Sequence, residues 1–171
     1  MPIPEFIRAI RAKAGNTLLF MPGVVMVVFD DRGRVLLNRR SDTGNWALIA
    51  GIPEPGEQPA AAAVREIEEE TAVVAVVERI LGVFTNEVIE YPNGHLAQYM
   101  DVVMLCRAVG GTAKVNDDES LDVGWFATDT LPELAPLHRE RIALALKDEP
   151  AAWFVPAPAP APAPDPGLRD R

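Results

Sequence analysis

The amino-acid sequence predicts an α+β fold in which a mixed β-sheet lies between helices. Three observations carry this prediction. Short runs of β-branched and aliphatic residues recur along the chain and are separated by turn sequences. One alanine-rich helical segment interrupts these runs at residues 59–71, and a second helical pattern closes them near residue 140. Many strands with few helices favour an α+β arrangement over a regular alternation of strand and helix.

Local signals define the predicted elements. Asp30 to Gly33 is a turn sequence that joins two aliphatic runs as a hairpin, and Pro59 suits the first position of a helix. The predicted helices cover residues 4–14, 59–71 and 136–146, and the predicted strands cover residues 24–29, 35–40, 46–49, 73–83, 96–106 and 121–126. In the last helix we expect four residues to face inward: Leu137, Ile142, Ala145 and Leu146.

Composition fits one soluble domain. The 171 residues carry a net charge of −9, which argues against a nucleic-acid polymer as partner because phosphate backbones require basic surface. The apolar run at residues 24–29 is far shorter than the ~20 residues that span a bilayer, so no membrane partner is expected. Cys106 is the single cysteine, which rules out an internal disulfide and predicts a cytoplasmic location.

The chain divides into three predicted parts. Residues 1–17 form an amphipathic N-terminal helix, residues 18–155 form the domain, and residues 156–171 form a disordered tail rich in proline and alanine. The helix is expected to pack on the domain or on a second subunit, which leaves a homodimer open. Alternating proline excludes both helix and sheet from the tail.

Glutamates crowd one face of the helix at residues 59–71. At about 100° per residue, Glu66, Glu69 and Glu70 share one face, while Glu68 points the other way. They repel one another near the negative end of the helix dipole, and clusters of oxygen ligands suit Mg²⁺ or Mn²⁺. The alternative is an ordinary solvated acidic face. The arrangement predicts a metal site.

The residues around this cluster resemble a known signature. Six positions match the Nudix hydrolases in identity and spacing, namely Gly51, Glu57, Arg65, Glu66, Glu69 and Glu70. Ile67 and Val73 stand at its two aliphatic positions. Ala72 departs from the pattern, because the family usually has glycine there. We expect the helix to continue through Ala72 in the right-handed conformation, since nothing evident would keep alanine in a strained one.

The resemblance implies the Nudix fold and a metal-dependent hydrolase. The Gly51 carbonyl and the carboxylates of Glu66, Glu69 and Glu70 would hold Mg²⁺, for which Mn²⁺ can substitute. Arg65 would pair with Glu57 or Glu69. Water, deprotonated by Glu69, Glu70 or Glu119, would attack phosphorus in a nucleoside diphosphate linked to a group X, giving a nucleoside monophosphate and phosphoryl-X. ADP-ribose or a nucleotide-sugar is favoured. A house-cleaning nucleoside triphosphatase and a non-catalytic nucleotide sensor are the alternatives.

Several residues outside the signature are candidates for binding the substrate. Arg39 and Arg40 end a strand, and alternation puts them on opposite faces, so at most one of them binds a phosphate. Trp46 and Tyr99 are candidates for stacking on a base, with a core position as the alternative. His138 is expected to be structural.

Overall fold

The computed structural model of the chain describes residues 4–147 and 149–157. Three helices and eight strands follow one another in this part of the chain. In order they are α1 (Glu5–Ala14), β1 (Leu19–Phe29), β2 (Val35–Arg40), β3 (Trp46–Ala47), β4 (Ile49–Gly51), α2 (Pro59–Thr71), β5 (Val73–Thr85), β6 (Ile89–Glu90), β7 (Leu96–Gly111), β8 (Ser120–Phe126) and α3 (Pro136–Ala145). This confirms the predicted α+β fold with a mixed sheet between helices.

The strands form one mixed sheet with β1 at its centre. The main order is β3-β2-β1-β7-β5, while β4 pairs with β1, β6 with β7 and β8 with β2. β1 and β7 run parallel from Leu19 opposite Ala97 to Phe29 opposite Arg107. β4 pairs antiparallel with β1 so that Gly51 lies opposite Val24. This pairing brings the glycine loop to the middle of the sheet.

Each face of the sheet has its own hydrophobic core. The face that α2 covers, called here the α2 face, includes Val24, Met26, Ile49 and Met104 from the strands. The face that α3 covers, called here the α3 face, includes Val25, Val27 and Leu37 together with Ile142 from the helix. Alternation along β1 and β2 separates the two sets, because successive side chains point to opposite faces.

Helix α2 has the predicted bounds, but its end differs from the prediction. Ala72 lies in the left-handed region with φ 56°, and it is the only non-glycine residue with positive φ among those described. Its amide donates to the Glu68 carbonyl at 2.9 Å. The expectation of a right-handed Ala72 is therefore wrong. The chain must leave the helix and enter β5 at once, because Val73 is already paired with Gly111.

Helix α3 and the segment after it also correct the prediction. Ile142 and Ala145 are buried as expected, but Leu137 and Leu146 are 41% and 57% exposed. The segment after α3 returns to the edge of β5, where the Trp153 amide donates to the Leu81 carbonyl at 2.8 Å. Of the predicted tail, residues 158–171 lie outside the described part of the chain. No helix in the described part is long and apolar enough to cross a membrane.

Candidate active site

Gly51 and Glu66 form the closest contact between the sheet and α2. Glu66 is 1% exposed and its carboxylate lies directly against Gly51, at a point where a Cβ on residue 51 would overlap it. Only glycine therefore lets the helix carboxylate approach the strand this closely. The contact places the Gly51 backbone and a buried carboxylate together, as the sequence prediction requires.

Arg65 links three carboxylates on the outer side of the helix. Its guanidinium donates to both oxygens of Glu57, from Nε at 3.0 Å and from Nη2 at 2.9 Å. Its Nη1 also donates to Glu66 and to Glu69, each at 3.0 Å. Hydrogen bonds from Arg65 lower the pKa of Glu57 below its ordinary value. Arg65 thus pairs with Glu57, as predicted, and it also contacts Glu66 and Glu69.

Glu70 is held by the sheet and not by Arg65. It is 4% exposed, and Asn38 Nδ2 donates to its Oε2 at 2.6 Å. The same Nδ2 lies 3.2 Å from Ser120 Oγ on β8. Asn38 Oδ1 is buried and has no hydrogen-bond partner among the described residues. Sequence reasoning missed Asn38 and Ser120, although a single asparagine in the apolar run Val35–Asn38 was a detectable signal.

Burial makes the two inner glutamates unusual acids. Burial raises the pKa of Glu66 to about 7, although the nearby Arg65 opposes the shift. Burial raises the pKa of Glu70 to about 8, and the charges of Glu66 and Asp117 add to the effect. Both carboxyl groups therefore lack enough compensating positive charge to ionise at their usual pH. A divalent cation would supply that charge.

The late acidic loop packs against the end of α2. The Asn116 amide donates to the Glu70 carbonyl at 3.2 Å, and Asn116 Nδ2 donates to the Glu68 carbonyl at 3.1 Å. Glu119 is half-buried, and its carbonyl accepts a hydrogen bond from the Ser41 amide at 2.7 Å. The loop therefore lies beside the glutamates. Asp117, which sequence reasoning did not single out, is the loop residue whose charge acts on Glu70.

The two arginines at the end of β2 separate as alternation predicts. Arg39 is exposed and its Nε donates to the Gly44 carbonyl at 2.9 Å. Arg40 binds Asp42 through Nε at 2.9 Å and Nη2 at 2.6 Å, and its positive charge acts on Glu70. Arg40 is thus the arginine that lies on the side of the glutamates.

A cavity of about 410 Å³ lies beside Arg40, between β3 and the start of α3. Trp46 and His138 both line it, and Trp46 also packs edge-on against Phe126 with ring centroids 4.7 Å apart. His138 Nδ1 is buried without a hydrogen-bond partner among the described residues. Burial lowers the pKa of His138 to about 4, so the ring is neutral at physiological pH. The cavity is thus bordered by a neutral imidazole.

Tyr99 lies apart from this cavity, near α1. It is half-buried beside Ile7 and Met21, and its hydroxyl is 3.1 Å from that of Tyr91. Of the aromatic candidates, Trp46 is the one that borders the cavity beside Arg40.

Cys106 is fully buried in β7, and burial raises the pKa of its thiol to about 12.

The oxygen donors of the site are of the kind that a hard divalent cation prefers, but they do not converge on one point. Among the described residues no group of three His, Cys, Asp or Glu side chains stands at metal-binding geometry. The reason is local, because Arg65 draws the 55% exposed Glu69 side chain outward and Asn38 holds Glu70. Glu66 is a buried oxygen donor next to Gly51, and Glu70 is a second buried donor, held by Asn38.

Comparison with known proteins identifies the family. The NUDIX domain model matches residues 19–146, which is more than half of the chain. The chain is 33% identical over 135 residues to a MutT-like protein of Streptomyces ambofaciens, covering 78% of this chain and 82% of that protein. It is 32% identical over 118 residues to an ADP-ribose pyrophosphatase of Methanocaldococcus jannaschii, covering 67% of each. The crystal structure of a UDP-X diphosphatase superposes with a TM-score of 0.61 at 28% identity, covering 82% of this chain and 68% of that one.

The NUDIX match spans the glycine loop, α2 and the late acidic loop, which are the elements that build the site. The chain therefore belongs to the Nudix hydrolases, pyrophosphohydrolases that act on phosphorus-containing anhydrides and that generally use divalent metal ions.

Proposed function

We propose that this chain hydrolyses the diphosphate bond of a nucleoside diphosphate linked to a second group, with ADP-ribose or a nucleotide-sugar as the favoured class. The products are a nucleoside monophosphate and the phosphorylated second group. The observation that carries the proposal is the pair of buried carboxyl groups, Glu66 and Glu70, which face Gly51 and the sheet with raised pKa values. The names of the ADP-ribose pyrophosphatase and UDP-X diphosphatase relatives support the substrate class.

We assign the ion to the carboxylates of Glu66, Glu69 and Glu70 and to the Gly51 carbonyl, with Mg²⁺ as the physiological metal and Mn²⁺ as a substitute. When bound, the ion neutralises the diphosphate and lowers the pKa of water. Arg65 keeps Glu57 and Glu66 oriented through its hydrogen bonds. Glu69, Glu70 or Glu119 accepts the proton of the attacking water, and the half-buried Glu119 lies in the loop that packs on α2.

The cavity beside Arg40 supports a two-part substrate. Its volume of about 410 Å³ lies in the range of about 300–1,000 Å³ that is typical of ligand pockets. Trp46 and His138 offer ring surfaces beside the cavity, which suit the base of a nucleoside. Arg40 lines this cavity and its positive charge also acts on Glu70, so it is our candidate for a phosphate contact. The net charge of −9 makes such a local cation necessary.

A nucleotide panel assayed with Mg²⁺ and with Mn²⁺, with the products resolved, tests the proposal. We expect cleavage of diphosphate-linked compounds to a nucleoside monophosphate, loss of activity in EDTA and recovery when Mg²⁺ is added. Cleavage confined to nucleoside triphosphates would replace this substrate class with the alternative of a house-cleaning nucleoside triphosphatase. Micromolar binding without cleavage by either metal would identify a sensor instead of an enzyme.

A further inference from the structure

Asn38 occupies a position where an apolar residue would be expected. Its neighbours in β2, Leu36 and Leu37, are fully buried, and Asn38 itself is 4% exposed. An amide in such a place is costly unless it is hydrogen-bonded, and an unsatisfied polar group costs about 1–3 kcal/mol. Asn38 is therefore a feature that a purely structural strand would not need.

The hydrogen bonds of Asn38 lead to one acid of the site. Its Nδ2 donates to Glu70 Oε2 at 2.6 Å and lies 3.2 Å from Ser120 Oγ. Glu70 projects from α2, Ser120 begins β8, and Asn38 belongs to β2, so the asparagine connects three elements. The short hydrogen bond from Asn38 is made to Oε2 of Glu70, and Oε1 of Glu70 takes no part in it.

We propose that Asn38 is a positioning residue that holds the Glu70 carboxylate in place for the divalent cation. The assignment deepens the proposed function, on which it rests for the role of Glu70. A neutral amide orients a carboxylate without supplying positive charge. The negative charge of Glu70 thus stays available to the ion, whereas an arginine in the same place would cancel it.

The other polar atom of Asn38 supports this role. Oδ1 is buried and has no partner among the described residues. Buried polar atoms in folded proteins are nearly always hydrogen-bonded, to protein or to water. An unused acceptor next to Glu70 provides a place for a further hydrogen-bond donor in the same cleft, and water is the smallest group that meets the need.

Metal binding without substrate tests the assignment. We would titrate Mn²⁺ into the full chain by isothermal calorimetry for wild type and for Asn38→Leu, which keeps the branched outline of the side chain and removes both hydrogen bonds. The Mn²⁺ dissociation constant should rise by roughly 10–100-fold, the range seen when a hydrogen-bond partner of a metal ligand is removed. At saturating metal, kcat should fall by a similar factor while KM changes by less than about threefold.

Two controls separate positioning from folding. Asn86→Leu removes a half-buried asparagine that donates to Asp101 on the α3 face, and it should lower the melting temperature while leaving Mn²⁺ affinity within about twofold of wild type. Ser120→Ala keeps the bond between Asn38 and Glu70 and should change Mn²⁺ affinity by less than about threefold.

The outcomes decide the proposal. A folded Asn38→Leu variant that binds Mn²⁺ like wild type overturns it. If that variant does not fold, Asn38→Ser removes the reach to Glu70 without adding bulk, and the same weakening is expected of it. If Asn38 governs Mn²⁺ affinity but no nucleotide is cleaved, the hydrolysis proposal fails and the assignment of Asn38 stands.

Discussion

Asp101 on the α3 face and Glu70 on the α2 face are both buried, but with opposite kinds of partner. On the α3 face, Asp101 is 5% exposed, and its Oδ2 accepts hydrogen bonds from Arg141 Nη2 at 2.9 Å and from Asn86 Nδ2 at 2.6 Å. On the α2 face, Glu70 is equally buried and has an uncharged asparagine as its donor. The α3 face thus contains a complete ion pair, and the α2 face contains an acid without a matched cation.

This difference distinguishes a carboxylate that serves the fold from one that serves a ligand. Arg141 is held further by the ring of Phe84, whose centroid lies 5.5 Å from the guanidinium carbon, and Phe84 stacks on Trp153. The α3 cluster, defined here as Asn86, Asp101, Arg141 and Phe84, thus pairs its buried charges within the protein. A site that binds an ion must instead keep charge uncompensated until the ion arrives, which costs stability in the metal-free protein.

The largest expected effect tests the buried ion pair between Asp101 and Arg141 on the α3 face. Asp101→Asn removes the negative partner of Arg141 and leaves a buried arginine, which is 5% exposed, without its charge pair. Breaking a buried pair in this way destabilises proteins by about 3–5 kcal/mol. We expect a loss of that order in the free energy of unfolding, measured by urea denaturation, while Mn²⁺ affinity is retained. A variant as stable as wild type would show that the pair does not hold the α3 face together.

The second largest expected effect tests the proposed metal ligands Glu69 and Glu70. Glu70→Gln and Glu69→Gln should each reduce turnover by at least ~100-fold, about 2.7 kcal/mol of barrier, because each removes a proposed charged ligand. Without metal, the melting temperature of Glu70→Gln should equal or exceed that of wild type, since a neutral amide is easier to bury than a carboxylate. Turnover in a steady-state assay and melting in EDTA provide the two readings. Retained turnover would contradict the assignment of that glutamate as a ligand.

The pH dependence of stability should differ between metal-free and metal-loaded protein. The folded state raises the pKa of Glu66 to about 7 and that of Glu70 to about 8, from an ordinary value of 4.5 for glutamate. The protonated folded form is therefore favoured, so their contribution to stability is complete below about pH 4.5 and is lost as the pH rises through about 7 to 8. In EDTA, the melting temperature should fall between pH 5 and pH 8.5.

Two comparisons identify the source of that fall. Glu70→Gln should reduce the change in melting temperature with pH, because it removes one of the titrating groups. Saturating Mg²⁺ should also reduce this change, because it stabilises the ionised carboxylates. Asp101→Asn should leave the change in melting temperature between pH 5 and pH 8.5 the same as in wild type. A metal-free melting temperature that is flat or rises from pH 5 to pH 8.5 would contradict the raised pKa values.

The smallest effect concerns the end of α2, which positions Glu69 and Glu70. Ala72 has φ 56°, a region that costs an L-residue about 1–2 kcal/mol and that glycine adopts freely. Ala72→Gly should therefore stabilise the chain by about 1 kcal/mol. The exposed Ala61 lies within the same helix, and Ala61→Gly should destabilise by roughly the same amount. Denaturant midpoints that shift in the same direction for both variants would exclude left-handed strain at Ala72.

Much of the fold was predictable because its signals are local. Helix α2 matches its predicted bounds, since Pro59 starts it and the alanines favour it. The hairpin between β1 and β2 follows from its turn sequence. β1 is longer than predicted, because Pro22 and Gly23 favour a break before Val24, and β7 extends to Gly111, beyond its predicted end at residue 106. Gly23 is in fact required there, since a Cβ at that position would overlap the Asp101 carboxylate from the neighbouring strand.

The site was predictable only where its signals were local. Spacing on one helix was enough to place Glu66, Glu69 and Glu70 on a shared face and Arg65 beside them. It gave no sign that Arg65 would contact Glu57, Glu66 and Glu69 together. The cavity that includes His138 combines residues about ninety positions apart in sequence, so no local pattern could have indicated it.

The sequence alone determined the fold class, the family signature and the acidic face of α2, because turn chemistry, helix capping and periodicity act over a few residues. Tertiary structure decided the rest. It determined which glutamates are buried, which carboxylate has an arginine and which has an asparagine, and the left-handed conformation of Ala72. These properties depend on what neighbouring strands bring within a few ångströms. The electrostatic cost of a buried charge depends on all of those neighbours together.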